Sequence, residues 1–170
     1  MATADTVTLG DPHPPKEESI KAFGEVEEEL KKQLLHMKHT YLSTVPPHPP
    51  VPHLQLPHQT NLPAEHEPEY FAAVQHLSDD DLTSFSTSDL ETVRVAQSAY
   101  GIHIFGKIRI PAMPTSGPAY LHVRVFVSED DGKTVQKLHC IHTEEKEESD
   151  GDKKYRAIFN AEDELEWFDT

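Results

Sequence analysis

A period-two alternation of apolar and polar side chains runs through the C-terminal half of the sequence. The alternation is typical of β-strands, because successive side chains of a strand point to opposite faces of the sheet. Turn-forming residues separate the alternating segments at 111–118, 130–132 and 149–151. We therefore expect an antiparallel meander with one apolar and one polar face, continued by strands over 134–142 and 155–160. The apolar positions are Ile102, Ile104, Ile108 and Ile110, followed by Leu121, Val123, Val125 and Val127.

The apolar face of such a sheet needs a cover, and a helix just before the meander is the obvious candidate. Residues 69–85 fit that role, because Pro68 suits the start of a helix and several large apolar residues follow. Ser78 and the aspartates after it weaken the middle of this segment. The sequence thus predicts an α+β domain over residues 67–170.

Residues 1–66 are predicted to form an N-terminal extension of that domain. Within it, an apolar stripe with a 3–4 spacing predicts an amphipathic helix over about 17–42. This helix either packs on its own domain or serves self-association or a partner. The Pro- and His-rich segment 45–68 follows, and its prolines favour an extended linker.

The charge of the chain narrows the classes of partner. With 30 acidic and 15 basic residues, the formal charge is −15, which argues against nucleic acid and against anionic membranes as ligands. The one cysteine, Cys140, excludes an intrachain disulfide. Without a signal-peptide pattern or an apolar run of membrane-spanning length, a cytoplasmic protein is expected.

The sequence offers no catalytic motif, so we do not expect an enzyme and expect no cofactor. There is no Gly-rich phosphate loop and no nucleophile elbow. His139, Cys140 and His142 are the densest metal-like group, but neighbouring residues of a strand face opposite sides, so we expect no metal site there. Cys140 is expected to be a small buried core residue.

Several segments, taken in order, resemble the cystatin family, which includes the stefins and the plant cystatins. Phe71-Ala72-Ala73-Val74 resembles the helix motif of plant cystatins, and Leu90 to Val95 resembles the strand that enters the first hairpin. Gln97-Ser98-Ala99-Tyr100-Gly101 resembles the Q-x-V-x-G hairpin of the family. Residues 120–126 resemble the long central strand of stefins, and residues 163–168 resemble their acidic and aromatic C-terminal strand.

The resemblance implies a cystatin-like meander wrapped around one helix. It also implies a reversible, non-covalent inhibitor of papain-like cysteine proteases, which blocks the active-site cleft with an N-terminal segment and two hairpins. By this resemblance the first protease-binding hairpin is formed by Gln97, Ser98, Ala99, Tyr100 and Gly101. The second is formed by Ser128, Glu129, Asp130, Asp131 and Gly132.

Three departures from the family pattern keep an alternative open. Ala99 stands where valine is usual, the second hairpin is acidic, and the usual glycine before the helix is missing if that helix is 69–85. A second register takes 17–42 as the cystatin helix and Gly10 as that glycine, with 43–90 as an insertion. The alternative function is a non-inhibitory, cystatin-fold protein-interaction module. Edge strands of such a sheet also permit a homodimer formed by domain swapping.

Overall fold

A computed structural model describes residues 3–44 and 70–169 of the chain. Within them the chain forms one long helix and six strands, together with short 3-10 turns at Ala72–Val74 and Thr87–Asp89. The predicted α+β class is confirmed. The helices are α1 (Glu17–Thr44) and the four-residue α2 (Asp79–Leu82); the strands are β1 (Leu90–Ser98), β2 (Gly101–Arg109), β3 (Tyr120–Asp130), β4 (Lys133–Ile141), β5 (Glu144–Glu147) and β6 (Lys153–Arg156).

Strands β1 to β4 form an antiparallel meander in the order β1-β2-β3-β4. The register pairs Val95 with Ile104 and Ile104 with Val125, so the apolar positions of neighbouring strands share one face. The N-terminal segment lies along the free edge of β1, where Leu9 bridges Ala96 and His13 bridges Val93. Strands β5 and β6 form a separate two-stranded sheet.

Helix α1 covers the apolar face of the meander. The stripe that predicted this helix is the stripe that packs: Phe23, Val26, Leu30 and Leu34 are buried in one core with the sheet. Gly106 on β2 gives Phe23 its place, because a Cβ at residue 106 would lie 2.3 Å from Cζ of Phe23. The ring of Phe23 can therefore lie directly against the backbone of β2 only because residue 106 is a glycine.

The prediction that a helix over 69–85 covers the sheet is wrong. Between Tyr70 and Phe85 the chain forms a 3-10 turn and then α2, whose N-cap is Ser78. The apolar residues of this segment, including Phe71, Val74 and Leu82, do enter the core, but as turns packed beside α1. The predicted domain boundary lies between residues 66 and 67, outside the described residues, and so does the predicted linker 45–68. Of the predicted domain 67–170, the structure describes the residues from Tyr70 to Asp169.

The second predicted register describes the order of elements better. A segment containing Gly10 pairs with β1, α1 follows it in sequence, and the meander comes after the residues between 44 and 70. The predicted strand over 155–160 is split in the structure. Its first part ends β6 at Arg156, while Phe159 makes a bridge to Tyr120 at the start of β3.

The second face of the meander, predicted from the sequence as the polar one, is also covered. The C-terminal segment 160–169 crosses it and forms a smaller core around Phe105, with Leu165 and Phe168 buried beside Ala96. Four cationic or imidazole side chains of this face are consequently buried, namely His103, Lys107, His122 and Arg124.

Candidate functional site

The first predicted hairpin is a tight turn at one end of the sheet. Ser98 pairs with Gly101, which leaves Ala99 and Tyr100 as the loop. Tyr100 is 70% exposed, so the tip presents an aromatic side chain. Gly101 has a φ of +151°, and a Cβ there would lie 2.3 Å from the carbonyl oxygen of Val127. Glycine is therefore required for the hairpin to leave the sheet at this angle.

The second predicted hairpin lies at the same end of the sheet. Asp130 pairs with Lys133, and Asp131 and Gly132 form a two-residue loop with φ values of 51° and 74°. Two positive φ values in such a loop match the right-handed twist of the flanking strands. Glu129, Asp130 and Asp131 are all exposed, so this tip is a compact acidic surface.

The N-terminal segment reaches the sheet beside the first hairpin. Leu9 lies opposite Ala96, one residue before Gln97, and Gly10 donates its N–H to the carbonyl of Val95 at 2.8 Å. Because the pairing is antiparallel, the chain before Leu9 is directed toward the hairpin end. The two hairpins, 97–101 and 128–132, thus lie at one end of the sheet with Leu9 and Gly10 beside β1, and we call these residues together the hairpin edge. Residues 4–9 line a separate pocket with Arg94, Glu166 and Trp167.

A groove opens between the N-terminal end of α1 and the hairpin edge. Its volume is about 560 Å³. The floor is apolar and comes from the central strands, with Val95, Ile102 and Val127 among its residues, while Lys16 and Lys21 of the helix end lie at its rim. A partner that contacts the hairpins can therefore also meet an apolar surface below them.

A chain of hydrogen bonds connects the first hairpin to the opposite face of the sheet. Arg124 donates through Nη2 to Nδ1 of His103 at 3.1 Å, and Nε2 of His103 lies 3.2 Å from Oγ of Ser98. Ser98 in turn donates to the carbonyl oxygen of Gly101 at 3.1 Å. Because the Arg124 guanidinium can only donate, Nδ1 of His103 must accept, and Nε2 of His103 then donates to the hydroxyl of Ser98. His103 is thus neutral and carries its proton on Nε2.

The surroundings of His103 favour this neutral form. Burial, together with the nearby charge of Arg124, lowers the pKa of His103 to about 4. The ring packs against Phe126 at 4.8 Å and against Trp167 at 5.6 Å between centroids. His103 is therefore an uncharged connector between the first hairpin and the C-terminal segment near neutral pH.

The face of the sheet that segment 160–169 covers, which we call the back face, holds polar residues whose role the sequence did not predict. Arg124 is 1% exposed and lies over the ring of Trp167 at 4.4 Å. Lys107 donates to the carbonyl oxygens of Ala161 and Asp163. The alternation of residues located these side chains on one face. It gave no sign of their partners, which lie 44 to 56 residues further along the chain.

The remaining His, Cys, Asp and Glu side chains of the described residues do not come together in one site. Among residues 3–44 and 70–169, no set of His, Cys, Asp or Glu side chains has the geometry of a metal site. Burial raises the pKa of the Cys140 thiol to about 12. His122 and His142 stack with Phe159 rather than with Cys140. In the part of the chain that is described, no helix combines the length and the apolar character needed to cross a bilayer.

No family model matches the chain, and no curated protein or solved structure matches it either.

Proposed function

We propose that this protein binds another protein through its hairpin edge and, in doing so, acts as a reversible, non-covalent inhibitor of papain-like cysteine proteases. The position of both hairpins, 97–101 and 128–132, at one end of the sheet, with Leu9 bridged to Ala96 beside the first, is the observation that carries the proposal. The sequence resemblance to cystatins supplies the partner class, and the pairing of a Gly10-containing segment with β1 supports the same layout.

The hairpin edge suits occlusion of a cleft. Both loops have only two residues and their ends are hydrogen-bonded into the sheet, so little conformational entropy would be lost on docking. Tyr100 would supply aromatic contact area at the centre, since tyrosine is a common anchor of protein interfaces. In this mode the cleft is filled by shape, and the catalytic cysteine of the protease forms no bond with the inhibitor.

The acidic second hairpin adds a requirement on the partner. Glu129, Asp130 and Asp131 would face the rim of the cleft, where they attract a protease with basic residues beside its active site. The same observation favours the second candidate function, a non-inhibitory interaction module that uses the hairpin edge to hold a basic partner. In that case the small Ala99 does not need to fill a protease subsite.

Titration of papain with the purified protein tests the proposal. We expect inhibition at micromolar protein that is relieved by dilution, tightened by Ala99→Val and weakened at least tenfold by Tyr100→Glu, which replaces the exposed aromatic tip with a charged group. Gly117→Glu is the matched control. Residue 117 lies in the β2–β3 connection at the other end of the sheet, and a Cβ there meets nothing within 4 Å.

Absence of inhibition by the wild-type protein at these concentrations would reject the inhibitor proposal. The interaction module would then be tested by capture of partners from a lysate. It predicts a partner that is lost when Glu129, Asp130 and Asp131 are replaced by their amides and is retained by the Gly117→Glu variant. A partner retained by both variants rules out the hairpin edge as its binding surface.

A further inference from the structure

The C-terminal segment 160–169 is attached to the back face of the sheet in an unusual way. After the bridge at Phe159, no main-chain hydrogen bond between described residues joins 164–169 to the sheet. The strands instead hold this segment with their side chains. Arg94 donates to the carbonyl of Leu165 at 2.6 Å, Lys107 to that of Asp163 at 2.7 Å, and Arg124 to that of Phe168 at 2.9 Å.

These three cations come one from each of β1, β2 and β3. Arg94 and Arg124 lie in register on either side of Phe105, and Lys107 lies two residues further along β2. They recognise main-chain carbonyl oxygens, which any extended peptide presents at regular intervals. Arg124 also pairs with the carboxylate of Asp169, the last described residue. The segment has five carboxylates between residues 160 and 169. The three cations therefore fit an extended peptide that carries negative charge.

The groove also has aromatic walls that match the aromatic residues of the segment. Phe168 packs edge-on against Phe105 at 5.2 Å and is stacked on His142 at 4.3 Å. Trp167 lies 5.2 Å from Phe105, and the Arg124 guanidinium contacts both rings, at 4.4 Å from the centroid of Trp167 and 5.3 Å from that of Phe105. Arg124 Nε has no hydrogen-bond partner in the described structure. The buried guanidinium is therefore stabilised in part by its contacts with these rings and with the peptide.

From these contacts we infer that the back face is a peptide-binding groove for an extended, acidic peptide that contains Trp-Phe-Asp, and that residues 160–169 are its tethered ligand. The same groove accepts this segment from a second copy of the chain, and a free peptide stands in for that segment in the test. The inference is independent of the proposed function, because it concerns the opposite face of the sheet. The tethered segment competes with any free peptide at a high effective concentration, so the groove opens only when that segment is weakened.

Peptide binding to full-length variants tests this inference. The probe is a fluorescently labelled peptide of residues 160–170, and its binding is followed by anisotropy. The Phe168→Ala chain, whose own segment is weakened, should bind the probe at least tenfold more tightly than the wild-type chain. A peptide with Phe168→Ala should lose this binding, whereas a peptide with Glu164→Gln, changed at an exposed residue, should keep it.

The Asp169→Ala chain provides a second variant if Phe168→Ala prevents folding, since Asp169 is exposed and lies outside the core. It should bind the probe severalfold more tightly than the wild type. Trp167 is the one tryptophan of the chain. When a Trp167→Phe version of the probe displaces the tethered segment, the fluorescence emission of Trp167 in the protein should therefore shift to longer wavelength. Equal binding of the probe to the wild type and to both variants, or no binding to any of them, would overturn the inference.

Discussion

Nη2 of Arg124 lies 3.1 Å from Nδ1 of His103. This contact joins the two regions of the molecule to which a binding role has been assigned. On one side, Arg124 holds the main chain of Phe168. On the other, His103 reaches Ser98 at the base of the first hairpin. The state of the C-terminal segment is therefore physically connected to the shape of the first hairpin.

Ser98→Ala should loosen the tip of the first hairpin without unfolding the sheet. The hydroxyl accepts from the amide of Tyr100 at 3.3 Å and donates to the carbonyl of Gly101, and both bonds are lost with it. We expect faster hydrogen exchange at the Tyr100 amide by about a factor of ten, with β3 and β4 unchanged. Ser128→Ala, on the second hairpin, is the control and should leave the Tyr100 amide unchanged.

His122 should make the protein sensitive to acid. Burial, with the nearby charges of Lys107 and His142, lowers the pKa of His122 to about 3. An unfolded chain binds a proton at the ordinary histidine pKa of 6.5, so from pH 6.5 down to about 3 the unfolded state holds more protons. Stability is then fully present above pH 6.5 and is lost by about 1.4 kcal/mol per pH unit for this group as the pH falls.

His122→Phe isolates that contribution. The His122 ring stacks on Phe159 at 4.1 Å, and its Nε2 atom has no hydrogen-bond partner in the described structure, so an apolar ring suits the position. Thermal unfolding should show a higher Tm than the wild type at pH 5, with a smaller difference at pH 7.5. The exposed His36→Phe substitution is the control. An equal loss of Tm on acidification in the wild type and in His122→Phe would contradict the assignment.

Leu34→Ala tests whether α1 belongs to the core of the sheet. Leu34 is fully buried in that core, so its truncation should lower the free energy of unfolding by about 2–5 kcal/mol. Denaturation followed by the signals of both helix and sheet should show one shifted transition. Glu29→Ala, on the exposed side of the same helix, should change stability by less than about 0.5 kcal/mol. A Leu34→Ala variant of wild-type stability would separate the helix from the sheet.

Gly106→Ala should be costly although it adds only one methyl group. Its Cβ would lie 2.3 Å from Phe23 Cζ and 2.9 Å from Leu90 Cδ1, so both of these buried side chains must shift within the core. A loss of about 1–3 kcal/mol is expected from overpacking of this kind. Gly117→Ala meets nothing within 4 Å and should stay close to the wild type in the same urea titration.

Cys140 should react slowly with alkylating agents. Burial raises the pKa of its thiol to about 12, so the reactive thiolate is scarce near neutral pH. Iodoacetamide labelling of the folded protein at pH 8 should be at least a hundredfold slower than labelling in denaturant. Comparable rates in the two conditions would mean that the thiol is exposed and ordinary.

Local pattern predicted the elements of this protein better than their packing. The period-two alternation placed Ile104 and Val125 on one face and Phe105 and Arg124 on the other, and the register agrees. The 3–4 spacing that contains Leu30 and Leu34 likewise predicted α1, which ends two residues later than expected. These features depend on neighbours within one element, which a sequence displays directly.

The choice of the covering helix required information that spacing does not carry. Phe71 and Phe85 are core residues in either arrangement, but Ser78 caps a new helix and so interrupts the predicted one. The two hairpins were located correctly as turns, at Ser98–Gly101 and Asp130–Lys133. The burial of Lys107 and Arg124 was missed because their partners in the C-terminal segment, which include main-chain carbonyl oxygens, lie 44 to 56 residues away in sequence.

Arg94 donates from Nε to the carbonyl of Gly10 at 2.7 Å and from Nη1 to that of Leu165 at 2.6 Å. One guanidinium thus clamps two main-chain segments that lie 84 residues before it and 71 residues after it in the sequence. Loss of this single side chain would therefore release both segments from β1 together.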